Sequence, residues 1–279
     1  MLDLALSLDT ELKEAVRIAD EAGEILRKAR LGSLKTKRKA DNSIVTEADL
    51  ASDELISSEL RRLFPADGIL SEESAYVRGE SGRTWVIDPL DGTSGYANGG
   101  DDYAVQIGLI ADGKPVLGVV AEPETRRIYR AINGVGTFMS SDATSTMRQL
   151  RVSKAQDLTD MALVVSARFP RDNVQHLSET LQVRSIIQAP SVGCKVGKLT
   201  RREVDLYYSV HPVSYWDSCA PLVVLEAAGG MMTSPDGSPL SYDFNQTNFQ
   251  HSTPLVASNG HIHSACCEKI REYKATNAS

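Results

Sequence analysis

The chain has no run of about 18 apolar residues, the length a helix needs to cross a bilayer, so no segment reads as a membrane span. It also has no basic excess. The formal net charge is −7, which argues against a nucleic-acid polymer as partner, because that binding draws on clustered Lys and Arg. The one basic run, Lys35 to Lys39, reads as a solvated loop. Met1 to Thr10 carries Leu2, Leu4, Leu6 and Leu8, but Asp3 and Asp9 interrupt it and no basic lead precedes it, so the pattern is not that of a signal peptide and a cytoplasmic location is expected. Cysteine is scarce. Cys194, Cys219, Cys266 and Cys267 form no Cys-x-x-Cys pair, and the two adjacent residues are badly placed for a mutual bridge, so reduced thiols are expected. The Gly-x-x-x-x-Gly-Lys phosphate loop and the Gly-x-Ser-x-Gly elbow are both missing, which sets aside nucleoside-triphosphate motors and serine hydrolases. His261 and His263 lack a third His or a Cys at a zinc-ligand spacing and read as a polar loop.

What remains is an ordinary globular composition with room for a large core. Of 279 residues, 42% are hydrophobic and 24% charged, which fits one large domain or two intimate ones. Apolar residues at Leu12, Ala15, Val16, Ala19, Ala22 and Ile25 recur at helical spacing and predict a helix over Glu11 to Arg30; a second runs from about Ala48 to Phe64 before Pro65. Strands are predicted at Gly68 to Ser71, Thr84 to Asp88, Tyr103 to Ala111, Pro115 to Glu122 and Arg127 to Ala131. Met139 to Met147 loses periodicity and marks a junction, so an N-terminal region is drawn at 1–150 and a C-terminal one at 151–279. In the second region Ala162 to Ser166, Ser185 to Gln188 and Asp205 to Ser209 read as strands. Val192 to Arg201 and Trp216 to Ala228 read as helices, the latter capped by Gly229-Gly230. The alternation without a fixed repeat implies a layered α/β fold.

The chemistry concentrates in Val86-Ile87-Asp88-Pro89-Leu90-Asp91-Gly92-Thr93-Ser94-Gly95. Here an apolar strand, expected to end at Pro89 and Gly92, delivers two carboxylates into one turn. Confined carboxylates repel each other, and a shared proton or a hard divalent cation such as Mg2+ relieves the repulsion. Gly92 to Gly95 adds backbone N–H groups and hydroxyls suited to an anion. Three more acidic sites can join it: Asp49 after Thr46 at a helix start, Glu72 and Glu73 after a strand, and Asp217 at the start of the late helix. Singly, each also serves as a helix-dipole or surface residue; together they supply carboxylates from separate segments, as an octahedral Mg2+ site requires. The acid–nucleophile spacing of haloacid-dehalogenase phosphatases is absent, since Asp88 and Asp91 are three apart. The EF-hand spacing is absent too, because position twelve counted from Asp88 is Gly99.

Thr46-Glu47-Ala48-Asp49, Ser71-Glu72-Glu73, Trp85 to Thr93 and Trp216-Asp217-Ser218-Cys219-Ala220, in that order, resemble the inositol monophosphatase superfamily of Mg2+-dependent, lithium-sensitive phosphatases. The resemblance implies an α-β-α-β-α sandwich. It implies two or three Mg2+ ions held by Glu72, Asp88, Asp91, Asp217 and the Leu90 carbonyl, and phosphate held by Gly92 and Thr93. It further implies that Asp49 with Thr93 orients and deprotonates water, that the substrate is a small phosphorylated molecule, and that the protein forms a homodimer. Within the superfamily, inositol phosphatases place a Glu after the tyrosine-containing strand, where this chain has Ser209-Val210. The chain looks more like the branch that removes the 3′-phosphate of 3′-phosphoadenosine 5′-phosphate, with Ser191, Gly193 and Lys195 as expected substrate contacts. Sugar phosphatases of the inositol or fructose-bisphosphate type are the alternative, and a regulatory metal-binding module is the non-enzymatic one.

Overall fold

A computed structural model describes residues 8–32, 35–38 and 44–276. The expectations for Met1 to Ser7 and for Lys39 therefore lie outside the described residues. Two helices, α1 (Asp9–Arg30) and α2 (Glu47–Leu63), cover one face of a seven-stranded sheet. Asp9 and Glu11 open α1, and Arg27, Lys28 and Arg30 close it, so its end charges match the helix dipole. Lys37 and Arg38 lie on an exposed strand, β1 (Thr36–Arg38), paired with the mostly buried β2 (Ile44–Thr46), rather than in a loop.

The large sheet runs in order β3 (Gly68–Ser71), β4 (Arg83–Asp91), β5 (Ala104–Ala111), β6 (Lys114–Glu122), β7 (Arg127–Ile132), β8 (Gly136–Ser140) and β9 (Arg148–Leu150). Trp85, Ile87, Val105, Ile107, Leu109, Leu117 and Val119 point to α1 and α2. Alternate positions such as Ala104 and Val120 point the other way, into a middle helical layer of α5 (Val192–Thr200) and α6 (Tyr215–Glu226). Beyond that layer stands a second sheet built from β10 (Ala162–Ser166), β11 (Ser185–Ala189), β12 (Leu206–Tyr208), β13 (Met231–Thr233) and β14 (Val256–Ser258). Val164 and Tyr207 face the middle layer, while Leu163, Val165, Leu206 and Tyr208 face α4 (Arg171–Leu181) and α7 (His263–Thr276). The result is five layers, α-β-α-β-α. Among the described residues no helix is long and apolar enough to cross a membrane.

Two glycines set the distance between the large sheet and α6. Gly108 and Gly118 oppose each other on β5 and β6. A Cβ on Gly108 would lie 2.5 Å from Cys219 Sγ, and one on Gly118 would lie 2.4 Å from the Ala220 carbonyl oxygen. Only hydrogen at both positions lets the helix settle, and that helix carries Asp217 on its first turn.

Several elements differ from expectation. β4 does not end at Pro89 but continues to Asp91, with a one-residue register shift between Asp88 and Asp91. β8 reaches into the stretch expected to be loop. Residues 142–145 form a turn held by the Asp142 carboxylate, which accepts from the backbone N–H of Thr144 and of Ser145. His263 sits not in a polar loop but at the buried start of α7, bonded to Thr233 and Ser258. All four cysteines are buried and unbridged.

Candidate active site

Residues three apart on a regular strand point to opposite faces, yet Asp88 and Asp91 point to the same one. The register shift is the reason. Asp88 opposes Gln106 and Asp91 opposes Ala104, two same-face positions on β5, so β4 carries one extra residue where Pro89 and Leu90 sit. The bulge turns both carboxylates toward the middle layer. Leu90 goes the other way, into the core under α1 and α2. Gly92 then takes φ +91°, a backbone region open to glycine, and starts the short helix α3 (Thr93–Ala97).

The third carboxylate arrives from α6. Asp217 is the third residue of the helix and accepts from the Ser214 N–H at 2.8 Å, a capping box that locks its side chain. One oxygen each from Asp88, Asp91 and Asp217 lie within 4.8 Å of one another. At that spacing, and at an effective dielectric near 20, each charged pair repels by about 3 kcal/mol. Burial, then Glu72, Asp91 and Asp217, push the Asp88 carboxyl well above the ordinary range. Burial, followed by Asp91 and Glu72, pushes Asp217 up to about 8. Glu72 lines the same cleft, beyond the end of β3. Four acidic residues thus converge at one end of a cleft, Asp88 and Asp91 buried and Glu72 and Asp217 half-buried, and a divalent cation with hard oxygen preference fits that donor set. The Lys195 ammonium, buried on α5, is the nearby counter-charge: it holds Asp91 and Asp217 down against burial, while burial lowers its own pKa.

Asp91 is braced rather than free. Ser191 Oγ donates to its Oδ2 at 2.6 Å and the Gly193 N–H donates to the same oxygen at 2.7 Å. Ser191 also caps α5 by accepting from the Cys194 N–H at 2.9 Å. Ser191 and Gly193, expected to touch substrate, are placed against Asp91 instead. Neither is among the residues lining the cleft, and a Cβ on Gly193 would press on Val120 and Ala104. Lys195 does line the cleft, with Nζ bonded to the Pro190 carbonyl at 3.1 Å and lying 5.0 Å from the Tyr207 ring centroid.

On the other flank, Asp49 is the third residue of α2 and forms a capping box with Thr46, whose N–H donates to Oδ2 at 2.9 Å. Its second oxygen, Oδ1, lies 3.1 Å from Thr93 Oγ1, which is 2.9 Å from the Leu90 carbonyl. Burial raises the Asp49 carboxyl. A chain of carboxylate and hydroxyl thus leads to the edge of the carboxylate cluster.

These groups open onto a cleft of about 850 Å3 between the ends of the two sheets. One wall is Ser166 to Pro170, at the carboxyl end of β10, where Arg168 Nη2 bonds Ser94 Oγ at 2.9 Å. The remaining wall, Ser209 to Ser214 with Trp216, carries His211 but no carboxylate. Arg168 and His211 were not foreseen from the sequence, and Trp216 was named there only within its motif block, not as a cleft residue. The available signal was the rule that ligands gather at the carboxyl ends of parallel strands, here β10 and β12.

The sequence matches the inositol monophosphatase family over residues 7–275. It is 29% identical over 275 residues to inositol monophosphatase 3 of Solanum lycopersicum, covering 95% of this chain and 98% of that protein. It is 33% identical over 238 residues to the 3′(2′),5′-bisphosphate nucleotidase CysQ of Escherichia coli K12, covering 83% and 93%. Among solved structures, the extragenic suppressor protein suhB of Bartonella henselae superposes with a TM-score of 0.81 at 25% identity, over 94% of this chain and 98% of that one. An IMPase of Thermotoga maritima gives the same score and identity over 96% and 99%.

Proposed function

The chain belongs to the inositol monophosphatase family and is a phosphoric monoester hydrolase, and from that premise we propose that it removes the 3′-phosphate of 3′-phosphoadenosine 5′-phosphate to give AMP and phosphate. The observation that carries this choice of ester is Arg168. It places a guanidinium on the cleft lining beside the end of the Asp88 to Thr93 turn, 2.9 Å from Ser94 Oγ, where a substrate with a second phosphate would meet it. The absence of any carboxylate from the Ser209 to Trp216 wall supports the same choice, because a sugar ring offers hydroxyl donors that such an acceptor would bind.

In this reading Asp88, Asp91, Asp217 and Glu72, with the Leu90 carbonyl, hold Mg2+. When bound, Mg2+ supplies Lewis acidity to the ester and to a water. The chain does the rest. Gly92 and Thr93 receive the transferred phosphate at the start of α3. Thr93 Oγ1 orients the attacking water, and Asp49, made a stronger base than an ordinary carboxylate by burial, accepts its proton through that hydroxyl. Ser191 and Gly193 keep Asp91 in place, and Lys195, on the cleft lining, balances the charge of the cluster and is placed to meet substrate phosphate.

A substrate panel with Mg2+ tests the choice of ester. Faster turnover of inositol 1-phosphate or fructose 1,6-bisphosphate than of the nucleotide overturns it. The inositol reading has its own support in the 95% coverage by the tomato relative. Arg168→Ala separates the two: it raises KM for the bisphosphate and leaves KM for inositol 1-phosphate unchanged if Arg168 meets a second phosphate.

A further inference from the structure

Behind the three carboxylates lies a polar side chain that the hydrolysis as described does not use. Gln106 stands on β5 directly opposite Asp88, on the face that also carries Asp91, and its exposure is 0%. Neither its Oε1 nor its Nε2 meets a hydrogen-bond partner among the described residues. Its surroundings are close. Val120 opposes it on β6, and a Cβ on Gly193 of α5 would fall 3.4 Å from Gln106 Cδ. A buried polar group left without a partner costs about 1–3 kcal/mol, and native folds carry few of them. Methionine would fill this space at no such cost.

What an amide offers here, and methionine does not, is a donor beside a carboxylate. Directly opposed residues of an antiparallel pair hold their Cβ atoms about 4.5–5.5 Å apart, so the Asp88 carboxylate is within reach of a glutamine. Asp88 Oδ1 already accepts from the Leu90 N–H at 3.1 Å. A second donor would fix the carboxylate plane.

We propose that Gln106 is a positioning residue for the acid centre: when the cation is bound, its now unpartnered amide N–H reaches the Asp88 carboxylate, by a change of side-chain rotamer or through one ordered water, and holds that carboxylate toward the cation. The inference rests on the cation reading of the acid centre, not on the identity of the ester. A neutral donor is the appropriate chemistry. A lysine at 106 would orient Asp88 equally well but would put a positive charge where the cation must go, and a glutamate would add another negative charge to a cluster already strained by repulsion.

Calorimetric titration of Mg2+ into the metal-free full chain tests this on wild type and Gln106→Met, with melts in chelator alongside. Gln106→Met is expected to melt no lower than wild type without metal, having lost an orphaned amide, yet to bind Mg2+ about 10- to 100-fold more weakly. Its kcat should recover at high Mg2+ with KM for the ester unchanged, a split that a packing defect does not produce. Gln106→Asn, which keeps the amide on a shorter stem, should regain part of the affinity. If wild type binds Mg2+ and Gln106→Met binds it equally well, the positioning role is wrong; if wild type binds none, the cation reading itself fails. Should Gln106→Met not fold, a crystal structure of wild type with Mg2+ decides. Nε2 within about 3.2 Å of Asp88, or of a water bonded to it, supports the role, and an amide bonded only elsewhere overturns it.

Discussion

Replacing Ser191 with alanine separates two roles that the same hydroxyl has been given, substrate contact and support of Asp91. The hydroxyl is fully buried, donates to Asp91 Oδ2 at 2.6 Å and accepts from the Cys194 N–H at 2.9 Å. Losing a serine N-cap costs about 1 kcal/mol, and losing a bond to a charged group about 1.5–3 kcal/mol. Together Ser191→Ala should lose about 2–4 kcal/mol, a fall of roughly 5–15 °C in Tm at 2–4 °C per kcal/mol. Gly193 still holds Asp91 Oδ2, so the carboxylate loosens without leaving. The Mg2+ midpoint of activity should then rise about 10- to 100-fold, while KM for the ester at saturating Mg2+ stays where it was. Ser191→Gly refines the test, because glycine caps a helix nearly as well as serine but has no hydroxyl. It should regain only the ~1 kcal/mol of capping, a few °C of the Tm, and lose the metal affinity as fully as Ser191→Ala does. An unchanged Mg2+ midpoint with a raised KM would refute the reasoning and return Ser191 to the substrate.

Asp91→Asn should abolish phosphate release while the metal-free protein melts at or above the wild-type temperature, since one of three mutually repelling carboxylates becomes neutral; retained turnover would sink the acid-centre reading. Asp217 has a folded-state pKa of about 8 against 3.8 unfolded. The unfolded chain therefore releases that proton first, and the metal-free fold loses stability as pH rises from about 4 to about 8. His251, buried against Ser218 with its pKa lowered to about 4 from 6.5, works in the opposite direction, withdrawing stability as pH falls through that window. Urea midpoints in chelator across this range should show a net alkaline loss that Asp217→Asn removes and Mg2+ suppresses. Lys195→Met should raise KM for the phosphorylated substrate about 10-fold, the worth of one charged contact of ~1.4 kcal/mol, and tighten Mg2+; an unchanged KM would leave Lys195 as counter-charge alone. Gly118→Ala should cost about 3 kcal/mol, the upper end for overpacking, because the new methyl would press on the Ala220 backbone; a melt within about 2 °C of wild type would mean that α6 can retreat freely.

Helices α1, α2, α5 and α6 and most strands of the large sheet were legible from period and punctuation, because each buries one face and exposes or shares the other. α4 and α7 were not. Arg171 to Leu181 spaces Val174, Leu177 and Leu181 on one face, but the stretch is short and otherwise polar, and α7 opens on His263, a residue that reads as polar until Thr233 and Ser258 are known to bond it. β13 and β14 are three residues each, and their partners lie far away in sequence. In the candidate site, the four acidic residues could be named from local motifs. Their bracing could not, because Ser191 and Gly193 meet Asp91 only across about a hundred positions.

The amino-acid sequence by itself determined the inventory: hard oxygen donors at strand ends and helix starts, a glycine able to take φ +91° after Asp91, and a resemblance to the inositol monophosphatases resting on four ordered blocks. Tertiary structure decided which way those groups face. Three-residue spacing alone would send Asp88 and Asp91 to opposite sides of the sheet, and only pairing with β5, which inserts a bulge at Pro89 and Leu90, brings them to one side. It likewise assigned Ser191 to Asp91, brought Arg168 to the cleft wall and set Gln106 opposite Asp88, because cross-strand register and helix-on-sheet packing join residues whose local sequence carries no trace of one another.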